Sequence, residues 1–150
     1  MMTTAEAAQH IHDALVAAMS GDIDQAAHHV ATLGTDSDAS RMYNVVTTFA
    51  EAGHRALLHM YGDKAPKPGT DEMWAILQLK PGALEANSAQ AWATRFLVAH
   101  CNGDPDAAKA QFETALVAGP EVFVGGVCCL VADVAGLANT ALRESEAQGG

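Results

Sequence analysis

Histidine and cysteine are the residue types most able to carry chemistry in this chain of 150 residues, which has seven of the first and three of the second. His10 and His12 lie two positions apart, so their rings would stand about 200° apart around a helix and cannot hold one ion together. His54 and His59 are five apart, whereas a metal-binding pair on one helix is spaced by four. These spacings predict no metal site.

The three cysteines differ in their predicted surroundings. Cys128 and Cys129 occupy the most apolar stretch of the chain, Val122 to Ala132, where cysteine behaves as a small hydrophobic residue. Cys101 directly follows His100 and is the better candidate for a reactive thiol, although the sequence offers no third group to orient the histidine. A tertiary arrangement of His100 and Cys101 with Cys128 or Cys129 stays open. The odd cysteine count argues against a disulfide framework and favours a reducing cytoplasm.

Acidic pairs recur at predicted helix starts, Asp22 with Asp24 and Asp104 with Asp106. Their positions favour helix capping and dipole stabilisation over acid–base catalysis. The chain has no phosphate-binding glycine loop, Gly-x-Ser-x-Gly elbow, HExxH pattern or EF-hand loop. We therefore predict no catalytic residue and no cofactor, and the residues favour a non-enzymatic function.

Apolar residues recur with helical period through most of the chain, and strand patterns are nearly absent. We predict an all-α domain of about seven helices with one clear interruption, the proline- and glycine-rich loop 61–70. The expected helices cover 5–19, 23–33, 38–61, 71–79, a segment ending near 102, a segment within 105–118, and 121–143.

Two parts of the chain match each other at an offset of 82 residues. Leu15 to Ala27 aligns without gaps onto Leu97 to Lys109, with seven of 13 positions identical, including the turn glycine and both aspartates. Turn residues that match together with helix phase favour an internal duplication. The sequence therefore predicts a single domain of two related three-helix units, about 5–60 and 87–143, joined by the loop and a short helix.

The second unit resembles a tetratricopeptide repeat, most clearly over residues 89–122. Consensus positions of that family are occupied by Trp92, Gly103, Ala108, Phe112, Ala115 and Pro120. The resemblance implies an array of helical hairpins that binds a peptide or protein. Phe96 and Ala99 depart from it, because they replace a usual glycine and tyrosine.

The resemblance also indicates which side chains would face a ligand. The polar groove-facing positions would be Gln90, Thr94 and His100 in the second unit. The carboxylate clamp of that family is not expected, since Arg95 is the single cation on either first helix and falls off this face. A pocket between the two units would lie near Trp74, Trp92, His100 and Cys101.

Charge and hydropathy limit the partners. Eighteen acidic residues against eight basic ones give a formal net charge of −10. This charge disfavours nucleic acid and anionic membranes, and it serves solubility or steers a basic partner. The N-terminus lacks a signal-peptide pattern, and the apolar stretch from 122 to 132 is too short to span a bilayer. We therefore predict a soluble cytoplasmic protein.

The final helix carries apolar residues on most sides, so it is either the central helix of the domain or part of a dimer interface. Together these features predict a non-catalytic protein-interaction or assembly module, engaging a protein partner or a second copy as a homodimer. The alternative is a small-molecule-binding protein or minor enzyme with its pocket between the two units.

Overall fold

The computed structural model describes residues 2–65 and 88–149, and these residues are all-helical, as the sequence predicts. Their regular structure is six α-helices and one short 3-10 helix, Gly62–Lys64, without a strand. The α-helices are α1 (Thr4–Met19), α2 (Ile23–Thr35), α3 (Ala39–Tyr61), α4 (Ser88–Cys101), α5 (Pro105–Ala118) and α6 (Pro120–Gly149). Trp74, the predicted helix 71–79 and half of the predicted loop 61–70 lie outside the described residues.

Side-chain caps fix the helix starts, and residue types that favour capping stand at these positions in the sequence. Thr3 and Glu6 form a capping box at α1, each side chain bonding the other residue's backbone N–H. Asp22, Asp38 and Asp104 accept a backbone N–H at the starts of α2, α3 and α5. These bonds satisfy amides that a helix start leaves unpaired, which confirms capping for Asp22 and Asp104.

The turn between α1 and α2 has the same geometry as the turn between α4 and α5. Gly21 and Gly103 both adopt positive φ, 86° and 68°, a conformation that glycine reaches without steric cost. Asp22 and Asp104 each accept an amide three residues ahead at 3.1 Å. The two turns are 82 residues apart, which is the offset of the sequence match. Their common origin stays a prediction.

Helix α6 is the centre of the domain, since it packs against all five other described α-helices. Its most extensive neighbour is the long helix α3, while α1 with α2 and α4 with α5 form two hairpins beside this central pair. The core contains large side chains from both units. Its largest fully buried members are Phe49, Phe96, Leu33, Leu57 and Leu130.

The last helix is longer than predicted, ending at Gly149 instead of near Arg143. The added residues include Glu144, Glu146 and Ala147, which are good helix formers. Among the described helices, α6 is long and apolar enough to cross a membrane by length and composition alone, with a mean hydropathy of 1.9 over its best window. The central helix of a compact domain satisfies the same two criteria. Cytoplasmic location therefore stays a prediction.

Two glycines allow the central helices to approach closely. A Cβ on Gly126 of α6 would stand 2.7 Å from the Trp92 ring of α4. A Cβ on Gly53 of α3 would stand 3.0 Å from Val134 of α6 and 3.2 Å from Leu97 of α4. These distances are shorter than ordinary van der Waals contacts, so the close approach of the helices requires glycine at both positions.

Candidate functional site

Gln90 and Thr94 were predicted to face a ligand groove; Gln90 joins α4 to α6, and Thr94 bonds to Gln90 within α4. The amide of Gln90 donates to Asp133 Oδ2 at 2.6 Å, and the buried hydroxyl of Thr94 donates to the Gln90 carbonyl at 3.1 Å. Thr94 and Asp133 also line a depression of about 430 Å³ between the two helices. Their hydrogen bonds give both residues a structural role.

Trp92 is a core residue at the centre of an aromatic cluster. Its ring stacks on Phe96 with centroids 5.5 Å apart and meets Phe123 at 6.5 Å. Its indole N–H donates to the Gln111 carbonyl at 2.6 Å, which fixes the ring between α4, α5 and α6. His100 lies eight residues further along α4, about 12 Å along the axis. The pocket predicted near Trp74, Trp92, His100 and Cys101 stays a prediction, because Trp74 lies outside the described residues.

Cys101, predicted as the reactive thiol, is buried at the end of α4. Burial raises the pKa of Cys101 to about 12, and the negative charge of Glu51 acts in the same direction. The thiolate is the nucleophilic form, and at neutral pH it is almost absent here. The burial of Cys101 disfavours the reactive thiol for which it was the better candidate of the three cysteines.

His100 belongs to a cluster with Glu51 and His54. His100 Nε2 lies 3.0 Å from Glu51 Oε1, and His54 Nδ1 lies 3.3 Å from the same oxygen. The three donor atoms lie within 4.8 Å of one another, and all three residues are half-buried. We call this group the Glu51 cluster. It is a set of two imidazoles and one carboxylate that could hold a metal ion.

Two helices build the Glu51 cluster. Glu51 and His54 share a face of α3 because they are three residues apart, and His100 reaches them from the last turn of α4. Arg55, one turn after Glu51, places Nε 3.5 Å from the other carboxylate oxygen. The hydrogen bond with His100 lowers the pKa of Glu51, against the opposing effect of partial burial, and His54 lowers it further.

Glu51 was not predicted as a site residue, and the spacing of His54 was considered only relative to His59. The local signal was present, since Glu51-Ala52-Gly53-His54 places a carboxylate and an imidazole at i and i+3 on one helix face. No local pattern places His100 beside this pair, because His100 lies 46 residues beyond His54. The sequence offered no group to orient His100, and in the structure Glu51 is that group.

A second histidine contact joins α1 to α2. His10 Nδ1 and His29 Nδ1 are 2.9 Å apart, and the amide of Gln25 lies 3.3 Å from His29 Nε2. No aspartate, glutamate or cysteine completes a three-ligand set with this pair in the described parts of the chain. The pair is consistent with a hydrogen bond across the hairpin.

An apolar groove lies where the α2–α3 turn faces the α5–α6 turn. It has a volume of about 410 Å³. Larger side chains of Met42, Leu116, Phe123 and Val124 line it together with the small residues Gly34 and Ala39. We call this feature the end groove. Its position between the two units differs from the groove predicted along α4.

Two exposed valines flank groove-lining residues in the sequence. Val117, which follows Leu116, is 89% exposed, and Val122, which precedes Phe123, is 47% exposed. The lining segments 31–42 and 116–124 carry the acidic residues Asp36, Asp38 and Glu121 and a single basic residue, Arg41. The Arg41 guanidinium donates to the Met2 carbonyl. The groove is thus apolar inside and acidic around its edge.

Comparison with known proteins does not place this geometry in a family. No protein family model matches the chain, and no curated protein or solved structure is significantly similar to it. The tetratricopeptide resemblance therefore stays a prediction, and function must be argued from the residues themselves.

Proposed function

We propose that this chain is a non-catalytic protein-interaction module, and that it binds an amphipathic helix with basic flanking residues in the end groove. The observation that carries this proposal is a largely apolar groove whose lining residues Leu116 and Phe123 are followed or preceded in the sequence by the exposed valines Val117 and Val122. Exposed apolar side chains beside an apolar depression are characteristic of a surface that a partner covers.

The charge around the end groove selects the kind of partner. Three acidic residues against one basic residue surround the lining, and the whole chain has a net charge of −10. A second copy of this chain would bring the same acidic edge against it, which disfavours association. A partner with Lys or Arg beside its apolar face is attracted, and the attraction speeds its encounter.

The small residues of the groove suit a helix as the bound element. Gly34 and Ala39 add little bulk at the first-unit side of the groove. A partner backbone can therefore approach closely there, while its apolar side chains contact Met42 and Phe123. Such a helix presents its anchors at i, i+3, i+4 and i+7.

The direct test uses a fluorescent synthetic peptide of about four helical turns, with leucine on one face and lysine elsewhere. We expect saturable binding by fluorescence anisotropy. Val117→Lys should weaken binding at least about tenfold, because burying a valine contributes about 1.5 kcal/mol and a cation now faces the lysines. Val16→Lys is the matched control, since Val16 is an exposed apolar residue of α1, a helix that contributes no residue to the groove lining.

Two further peptides separate shape from charge. A scrambled peptide of the same composition, with leucines on all sides, should bind more weakly than the amphipathic one. A peptide with glutamate in place of lysine should also bind more weakly. Equal binding of all three peptides, or equal loss in the two valine variants, would refute the proposal. A dimer in sedimentation that Val117→Lys abolishes would replace it with self-association.

A further inference from the structure

The Glu51 cluster brings three metal-ligand atoms from two helices to one point. The two imidazole nitrogens approach the same oxygen, Glu51 Oε1, at 3.0 Å and 3.3 Å. Zinc bonds to nitrogen and oxygen are about 2.0–2.2 Å long, which places neighbouring ligand atoms of a tetrahedral site about 3.3 Å apart. The observed separations therefore match two edges of such a site.

The ring arrangement leaves both nitrogens free to turn to a common centre. The His54 and His100 rings meet at 89° with centroids 6.0 Å apart, so they do not stack. All three donor atoms lie within 4.8 Å of one another, and a small adjustment of the side chains brings the third edge to a tetrahedral length. Carboxylate with two imidazoles is a known open-site ligand set of zinc.

The surroundings hold these ligands in place. Gly53, between the two α3 ligands, lets α3 approach Leu97 of α4 and so brings His100 within reach. Arg55 Nε lies 3.5 Å from Glu51 Oε2, which orients the carboxylate and leaves Oε1 for a metal. Cys101 is next to His100 but does not belong to the group of converging donor atoms. Three protein ligands leave the fourth position to water.

We propose that Glu51, His54 and His100 bind one divalent ion of the zinc type at an open site between α3 and α4. The ion joins the two three-helix units, because α3 belongs to the first and α4 to the second. Its ligand set of two nitrogens and one oxygen favours a first-row transition metal over magnesium or calcium, which prefer oxygen ligands.

Titration of chelator-treated protein with ZnCl2, followed by calorimetry, tests the site. We expect one ion per chain. Glu51→Gln and His100→Gln should each weaken binding by more than the roughly 10–100-fold that loss of an outer-shell partner causes. His29→Gln is the matched control, because it removes a histidine from the other inter-helix contact and leaves the Glu51 cluster intact.

Two measurements on the unmodified chain keep the result independent of how the variants fold. CoCl2 should give the intense visible absorption of tetrahedral cobalt, and ZnCl2 should displace it. In NMR spectra of the imidazole nitrogens, zinc should shift His54 and His100 and leave His10 and His29 in place. Binding weaker than millimolar, shifts confined to His10 and His29, or affinity unchanged in both ligand variants would each overturn the assignment.

Discussion

The carboxylate of Glu51 contacts three other side chains and so links α3 to α4. One oxygen faces His54 and His100 and the other faces Arg55. The same negative charge acts on the Cys101 thiol and, together with burial, keeps it protonated. Glu51 therefore contacts two imidazoles, and its charge adds to burial, the larger cause, in raising the pKa of the Cys101 thiol.

The rate at which Cys101 is labelled tests whether the fold suppresses its reactivity. A pKa of about 12 in place of 9.0 means that at pH 8 the folded chain holds roughly a thousandfold less Cys101 thiolate than the unfolded chain. We expect iodoacetamide to label Cys101 at least a hundredfold more slowly in native protein than in urea, as measured by peptide mass spectrometry. Similar rates in the two states would contradict both the burial and the raised pKa.

Of the three residues of the Glu51 cluster, only His100 was predicted as a site residue. Cys101 beside His100 was visible as a chemical pair, and Glu51 with His54 was available as a helical i, i+3 pair. Whether Cys101 is reactive depends on water exclusion by other helices, and whether His100 meets Glu51 depends on how α3 crosses α4. Both depend on tertiary contacts, and a single sequence without pairing information does not specify them; Glu51 and His100 are 49 positions apart.

At the scale of the helices, close packing depends on positions without a side chain. Gly126→Ala should destabilise the fold by about 1–3 kcal/mol, because the new Cβ meets the Trp92 ring, which the hydrogen bond to Gln111 holds in place. Urea denaturation measures the change.

The neighbouring residue provides the control. A Cβ at Gly125 meets nothing within 4 Å, so Gly125→Ala should be neutral or stabilise α6 by up to about 1 kcal/mol through helix propensity. Equal stability of the two alanine variants would show that the Trp92 ring moves aside easily.

Helix bounds were the most predictable part of the molecule. Capping aspartates, turn glycines and apolar periodicity placed α1, α2, α3 and α5 within a few residues of their observed ends. The end of α6 was missed because a polar segment after Arg143 resembles a tail, although its residues are good helix formers. The end groove was also missed, since it forms only where two distant turns meet.

At the scale of the whole molecule, α6 makes the two units depend on each other. Leu33→Ala in α2 should cost about 2–5 kcal/mol, because Leu33 is fully buried. The loss should appear equally in far-UV circular dichroism and in Trp92 fluorescence, measured in a Trp74→Phe background where Trp92 is the only tryptophan. Leu58→Ala, at an exposed position of α3, should change stability little.

Coincident transitions mean that the two units unfold as one body. If the fluorescence midpoint stayed at that of the parent while circular dichroism showed an earlier transition, the units would be independent. Such a result would contradict the central position of α6. It would also weaken the proposed metal site, whose ligands come from both units.

The central position of α6 has a consequence for the nascent chain. This helix leaves the ribosome after the five helices that it covers, and adding its 30 residues takes about 2 to 6 seconds at ordinary rates of synthesis. During that interval the apolar faces of α3 and α4, which include Phe49 and Phe96, are not yet fully buried. Folding of these helices is therefore completed only after α6 has emerged, and we expect chains that stop before residue 120 to be recognised by chaperones and proteases.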